Sequence, residues 1–523
     1  MATSTESIGP LVARPLEHGI GSGRTGVWTR WLAPSFADLF FAALIGWLFV
    51  CGASGWKALL GDGDVGWHIR TGEYILTHHS VPTRDLFSFS RPDAPWFAWE
   101  WLSDVIDAAL YRAGGLKGVV LFAGALIGAY ATLLLRFALW RGANALVAAV
   151  TTMLAVGASS MHFLARPHLF TLLFLPACLW VLEADRRRPT PWLWSLVPVA
   201  ALWANLHGGF AIFLACVAVA AAGTAIENWS SAERWRLPRR YAFLAAACTL
   251  VTVVNPYGIG LHRHILDYLR ADWIRNLIQE FQAPTFRSEG QLQYEALLIA
   301  GLILTGFLLR KKRIVEALWI VFLAHSSLIS VRHAPLYAAI AAPLIAAELT
   351  MGWASWTSCL KKSSVARILY QLGEDRTPGF RRTSIWPVIV VAALAMIDAP
   401  VKWPKDFPSE AFPVDMIHRN AELIGSGRLL TTDQWGDYII YAFYPRQKVF
   451  VDGRSDFYGE QLGQEYMHVL QGAYDWQAIL DRQQFDRALL PVDLPLTALL
   501  KTVPGWRVVD DDHHTLLFRK LGR

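Results

Sequence analysis

The sequence predicts a polytopic α-helical membrane protein with about eleven transmembrane helices, N-terminus inside and C-terminus outside, and a C-terminal soluble α/β domain. Three observations carry that fold class. Of the 523 residues, 54% are hydrophobic and only 17% charged, against roughly 25% charged in soluble domains. The apolar residues come in blocks near the length that crosses a bilayer, about 20 residues. The basic residues sit in alternate short loops between those blocks. The net charge of +6 therefore reads as a topology signal and not as a nucleic-acid surface.

Taken in order, residues 1–35 form a polar N-terminal segment placed in the cytoplasm by Arg14, Arg24 and Arg30. It has no apolar core of the kind a cleavable signal peptide carries. The membrane region spans 36–399. Its apolar runs lie at 36–56, 115–135, 143–161, 168–184, 192–206, 209–227, 241–256, 294–310, 314–330, 336–352 and 384–399. The loops read as inside carry Arg136 and Arg141, "DRRR" at 185–188, "RWRLPRR" at 234–240, "RKKR" at 310–313, and a basic stretch over 361–382. The short loops read as outside hold single arginines such as Arg166 and Arg332. Two long external loops follow from this topology, 57–114 and 257–293. Within the first, "FAWEWLSDVIDAALYRAGG" has the spacing of a helix lying in the interface. Residues 400–523 are polar enough for an extracytoplasmic α/β domain, with "RLLTT" and "KVFVDG" strand-like, "WGDYIIYAFY" helix-like, and a closing strand pair around "DDDHH". Five cysteines lie in or beside apolar runs and imply no disulfide framework.

Four segments carry candidate chemistry. "GDGDVGWHIR" places Asp64, His68 and Arg70 just outside the first helix, among several tryptophans. It reads either as an interfacial aromatic belt with solvated charges or as a carboxylate at the lipid boundary that takes a proton or binds a metal. "NLIQEFQAPTF" holds Glu280, and "SLISVRHAPLYA" holds Arg332 at an outer helix end, where it either snorkels or binds a phosphate. "DQWGDYIIY…VFVDGRSD" holds Trp435, Asp437, Asp452, Arg454 and Asp456. Turn and cap roles compete there with a binding loop. Histidines 68, 162, 168, 207, 262, 264 and 333 map to the outer side, as interfacial polar groups or as ligands and proton carriers.

"DVGWHIRTGEYI" resembles the first external-loop motif of the catalytic subunit of oligosaccharyltransferases, with Asp64, Trp67, His68, Arg70 and Tyr74 in register. "QEFQAPT" is similar to that family's late external-loop motif. "RHAPLYAAIAAP" is similar to its Arg-containing segment at a late helix end, and "DQWGDYIIY…VFVDGRSD" to its Trp-Trp-Asp-Tyr-Gly signature. The chain is identified as a member of the C-type superfamily of polytopic glycosyltransferases. Two departures stand out. The loop "SSMHFLARPHLF" has His162, Arg166 and His168 but none of the family's Asp-x-Asp acids. The Trp-Gly-Asp-Tyr order also differs from the family signature, so transfer to asparagine is not expected.

The resemblance implies a membrane glycosyltransferase of a bacterial-type inner membrane. It would move a sugar or oligosaccharide from a polyprenyl-phosphate or -diphosphate donor to an acceptor on the outer, periplasmic side, with inversion. It implies Asp64 and Glu280 as the catalytic acids, and His68, Arg70, Arg332, Trp435 and Asp437 as substrate-binding residues. Asp64, Glu280 and His168 would hold a divalent metal, Mg or Mn, although the superfamily also has members that work without one. The residues alone leave two alternatives. A transporter or flippase of lipid-linked intermediates would need ionisable groups inside the spans, which are nearly free of them. A non-catalytic scaffold would use the outer domain to bind a ligand.

Overall fold

The structure is a computed structural model, and it describes residues 31–51, 55–382, 384–398 and 402–521. Apart from residues 31–35, the expected cytoplasmic segment lies outside the described residues.

Every apolar run forms a helix, because a backbone in lipid must satisfy its own polar groups. α1 (Phe36–Gly46) is capped reciprocally. The Ser35 hydroxyl accepts from the Asp38 amide at 3.1 Å, and Asp38 accepts from the Ser35 amide at 2.6 Å. α2 (Asp64–His78) lies in the first long loop. α3 (Trp101–Trp140) merges the expected interfacial helix with the membrane helix after it, bent at Gly115. The bundle continues with α4 (Ala145–Ser159), α5 (His168–Arg187), α6 (Leu196–Leu206), α7 (Phe210–Glu227) and α8 (Arg236–Val251). After α9 (Gly260–Arg270) in the second long loop come α10 (Glu289–Arg310), α11 (Ile314–Ile329), α12 (Ala334–Ser358), α13 (Val365–Phe380) and α14 (Trp386–Met396).

Among the described residues, six helices are long and apolar enough to cross a membrane: α3, α4 with its continuation to His162, α5, α7, α10 and α12 with the turn before it. α1, α11 and α14 are apolar but shorter. Each of the eleven expected runs lies in a helix, but only these six are of full membrane-crossing length, since a bilayer core needs about 20 residues and α6 has 11. α13 was not expected. Its basic residues read as a loop, yet it docks on α4, where Asn144 donates to the Tyr370 carbonyl at 2.8 Å and to Glu374 at 3.0 Å.

Helices in lipid associate through close packing and satisfied polar groups rather than through a hydrophobic effect. Accordingly Trp319 on α11 donates to the Cys216 carbonyl on α7 at 2.9 Å, and the Tyr294 and Ser327 hydroxyls meet at 2.8 Å. The charged residues sort to opposite ends of the bundle. α5 begins at His168 and ends at Arg186 and Arg187. The loops read as inside meet at the arginine end, where Arg186 pairs with Glu227 and Glu316, and Arg240 with Asp185. The loops read as outside meet at the histidine end.

After α14 the chain forms a small mixed sheet with β1 (Leu429–Leu430), β2 (Arg487–Pro491), β3 (Trp506–Asp511) and β4 (Thr515–Lys520), in the order β1-β2-β4-β3. β1 runs parallel to β2, and β4 is antiparallel to both β2 and β3. α15 (Asp433–Phe443) and α16 (Ser455–Gln471) connect β1 to the rest. The strand expected at "KVFVDG" stays out of this sheet. Val449 pairs instead with the first long loop, exchanging hydrogen bonds with Phe87 and Phe89 at 2.9 Å. Phe450 anchors that segment, fully buried against Phe485. The C-terminal unit is thereby fastened to the loop that carries α2.

Candidate functional site

The site is built where α2 crosses α15. At Gly66 a Cβ would meet the Asp437 carbonyl oxygen at 2.6 Å and the Tyr441 Cβ at 2.9 Å, so only glycine permits this approach. The crossing sets Asp64, in the first turn of α2, beside Asp437. Asp437 Oδ1 accepts from the Gly453 amide at 2.9 Å. A side chain at 453 would meet Asp64 Oδ1 at 1.8 Å and Asp437 Oδ2 at 3.0 Å. Among the described residues those two carboxylate oxygens are buried without a hydrogen-bond partner. A pair of orphaned acceptors is expensive, and in a folded chain it points to a proton or a ligand.

Asp64 opens onto a cavity of about 170 Å³ at the histidine end of the bundle. Its polar wall includes Glu100, Arg166, His207, Glu280 and Arg332. Trp96 and Trp99 add aromatic surface, and Leu172, Ile212, Leu269 and Leu336 from α5, α7, α9 and α12 make the rest apolar. Glu280 sits in a single 3₁₀ turn, Gln279–Phe281. That turn is tied to the start of the α12 segment: Ser330 Oγ donates to the Glu280 carbonyl and the Val331 amide to the Gln282 carbonyl, each at 2.8 Å. Arg332 lies 4.0 Å from Glu280, donates to the Tyr268 hydroxyl at 3.2 Å and covers the Phe281 ring.

Arg166 is the hub. Its guanidinium reaches Asp62 at 2.7 Å, Asp64 at 2.5 Å and Glu280 at 3.4 Å. The loop that presents it is pinned by the Ala165 amide on the Leu59 carbonyl, 2.8 Å.

This geometry separates the acids. Burial raises Asp64 to about 7, with Asp62 and Glu280 adding to the rise and Arg166 opposing it. Burial raises Glu100 to about 8. Glu280 is also buried, but Arg166 and Arg332 together outweigh the burial and bring it down to about 2. Asp437 is pushed well up, by burial first and then by Asp64. The cavity thus combines one firmly ionised carboxylate with acids that hold protons near neutrality, a separation typical of sites that move protons.

Several expected site residues lie elsewhere. His68 is fully buried behind the cavity, with Nδ1 2.6 Å from Asp104, and burial pulls its pKa well down. Arg70 faces α15: its Nε donates to the Tyr441 carbonyl at 2.9 Å, and its Nη1 pairs with Glu73 at 2.6 Å. Trp435 donates to the Ala411 carbonyl at 3.0 Å inside the C-terminal unit. These three buttress the site and do not line it. The expected metal set of Asp64, Glu280 and His168 does not assemble either. Among the described residues no three metal-ligating side chains converge, Arg166 occupies the space between the two acids, and His168 Nε2 is turned to the His162 carbonyl at 2.5 Å. Arg454, read as a binding-loop residue, does border the cavity, but it is locked between Asp452 and Asp85 at 2.6 and 2.8 Å, with its guanidinium over the Trp96 ring.

Sequence reasoning missed Arg166 and Glu100 as site residues. Arg166 had a signal, a lone cation in the loop that departs from the family's acidic motif. Glu100 had a weaker one, a lone acid within "FAWEWLS".

No protein-family model matches the chain, and no curated protein does. Solved structures do. The chain is similar to the apo oligosaccharyltransferase of Archaeoglobus fulgidus, at 11% identity and a TM-score of 0.53 over 88% of this chain and 69% of that one. It is also similar to the archaeal oligosaccharyltransferase AglB from Archaeoglobus fulgidus in complex with an inhibitory peptide and a dolichol-phosphate, at 11% identity and a TM-score of 0.57 over the same shares. A third match is the Archaeoglobus fulgidus enzyme complexed with Zn and sulfate, at 11% identity and a TM-score of 0.52 over 87% and 68%. Across nearly nine-tenths of its length, this multi-pass membrane chain has the fold of an oligosaccharyltransferase.

Proposed function

We propose that the chain is a membrane glycosyltransferase that takes a sugar from a polyprenyl-phosphate-linked donor, with its cavity and C-terminal unit on the extracytoplasmic side of a bacterial-type inner membrane. The observation that carries this reading is one cavity that joins a carboxyl poised near 7, a cation at a helix end, and apolar helix faces. The apolar faces suit a lipid tail, and the tryptophans suit a sugar ring. The neighbouring archaeal fold holding a dolichol-phosphate supports the donor class.

In this mechanism Asp64, ionised, accepts the proton of the acceptor nucleophile as that atom attacks the anomeric carbon. The bond from that carbon to the phosphate oxygen breaks, and the phosphate leaves with the electron pair. Arg332, with Tyr268 beside it, meets the charge that grows on the leaving phosphate. Glu280 remains ionised and orients both arginines, while Glu100 lines the cavity as a neutral acid. Asp437 limits where the Asp64 carboxyl can point.

The test is Asp64→Asn, which keeps shape and removes the base. Transfer of labelled sugar from a polyprenyl-phosphate donor in proteoliposomes should fall by about 10²–10⁴-fold with normal folding. Transfer near the wild-type rate would remove Asp64 from the chemistry.

A further inference from the structure

A divalent metal is expected between the acids of this fold, and the structure puts an arginine there. We propose that the Arg166 guanidinium takes the place of that metal, so that this enzyme binds no divalent ion between Asp64 and Glu280 and transfers without one. The proposal deepens the glycosyltransferase reading and rests on it only for the transfer step.

Three observations converge. Arg166 bridges carboxylates from separate parts of the chain: Asp62 just before α2, Asp64 in its first turn, and Glu280 in the second long loop. A metal holds such segments together by coordination, whereas here a planar fork of N–H donors does it. An ion on Asp64 Oδ2 would also lie no more than about 5 Å from Nη2 of Arg166, and that second cation repels it. Finally, the expected ligand set is incomplete. His168 is bonded to the His162 carbonyl, and the loop from 159 to 170 contains no acid, Arg166 standing in it instead.

Arg166 is a positioning residue under this proposal. It fixes the Asp64 carboxylate through Oδ2, while Oδ1 stays without a hydrogen-bond partner beside Gly453. A bound metal would draw on both oxygens' electron density and exchange with solvent. A guanidinium stays charged and in place at every working pH.

The experiment is a Mn²⁺ titration followed by electron paramagnetic resonance on the full chain in detergent, with the purified protein's metal content measured alongside. Wild type should bind no stoichiometric Mn²⁺, and its transfer should be unchanged by EDTA. Arg166→Asp, which adds an acid beside Asp62, Asp64 and Glu280, should gain one Mn²⁺ site. Arg166→Gln should lose transfer by more than tenfold without gaining Mn²⁺, and Arg166→Lys should recover part of it. One tightly bound Mn²⁺ per wild-type chain, or transfer abolished by EDTA and restored by Mn²⁺, would overturn the proposal. If wild type transfers from no lipid-linked sugar yet binds no Mn²⁺ while Arg166→Asp does, the glycosyltransferase reading fails and the assignment of Arg166 stands.

Discussion

The two ends of α5 carry clusters of similar composition and different logic. At the arginine end, Arg141 and Arg187 pair with Glu183, Arg186 with Glu227 and Glu316, and Arg313 with Glu316 and Glu348. Every one of these carboxylates meets a cation, and the leftover atoms are N–H groups of Arg141 and Arg186, each of which pairs through one other nitrogen. At the histidine end, Arg166 and Arg332 serve Asp62, Asp64 and Glu280, but among the described residues Glu100, Asp437 and one oxygen of Asp64 have no Lys or Arg against them. A self-neutralised network closes a bundle. A network with spare carboxylate oxygens costs stability and persists where those oxygens have a task. Composition alone does not distinguish the two ends; the pairing does.

The contrast can be broken by exchange of phenotypes. The largest effect belongs to Asp64→Asn, about 10²–10⁴-fold in transfer, with thermal unfolding little changed because Asp64, raised to about 7, is already half protonated at neutral pH and Arg166 keeps Asp62 and Glu280. Glu316→Gln should do the reverse. It leaves Arg186 and Arg313 short of a carboxylate and should cost about 3 kcal/mol of stability, read as a lower unfolding temperature in detergent, while transfer per folded molecule holds. A catalytic loss in Glu316→Gln at full stability would erase the distinction.

The pH profile sharpens it. Asp64 works as a base only when ionised, and it is raised to about 7. Below 7 it is mostly protonated, so kcat/KM should fall about tenfold per pH unit and level off above 7. Arg166 opposes that rise, while Asp62 and Glu280 reinforce it. Asp64→Asn should lose the limb altogether. The smallest effect is expected from Arg70→Ala, which removes the donor to the Tyr441 carbonyl between α2 and α15. It should cost about 1–2 kcal/mol of stability and lower transfer only through misplacement of α2.

Much of this molecule was legible in the sequence. Each apolar run became a helix because backbone in lipid has one economical solution, and the alternation of basic loops foretold which loops share an end. What was not legible followed from direction and distance. The motif around Asp64 names consecutive residues, but a helix turns about 100° per residue. Asp64 therefore opens to the cavity, His68 sits one turn deeper against Asp104, and Arg70 faces α15. Arg166 looked like a stray loop cation because its three partners are far away in the chain. α13 was hidden by the basic residues in and around it, Lys361, Lys362, Arg367, Arg376, Arg381 and Arg382, which report loop composition even when a helix lies among them. "KVFVDG" has strand residues, and its partner is a loop hundreds of residues earlier, which periodicity does not register.

The central claim is that the histidine end, and not the arginine end, receives a lipid-linked phosphate. Equilibrium binding of polyprenyl phosphate to the full chain in nanodiscs tests it most directly. Arg332→Ala should weaken binding roughly tenfold to a hundredfold, the loss of charge-assisted hydrogen bonds worth about 1.5–3 kcal/mol, while Arg186→Gln leaves the affinity unchanged. Binding that survives Arg332→Ala, or that is lost to Arg186→Gln in a folded protein, would contradict the account.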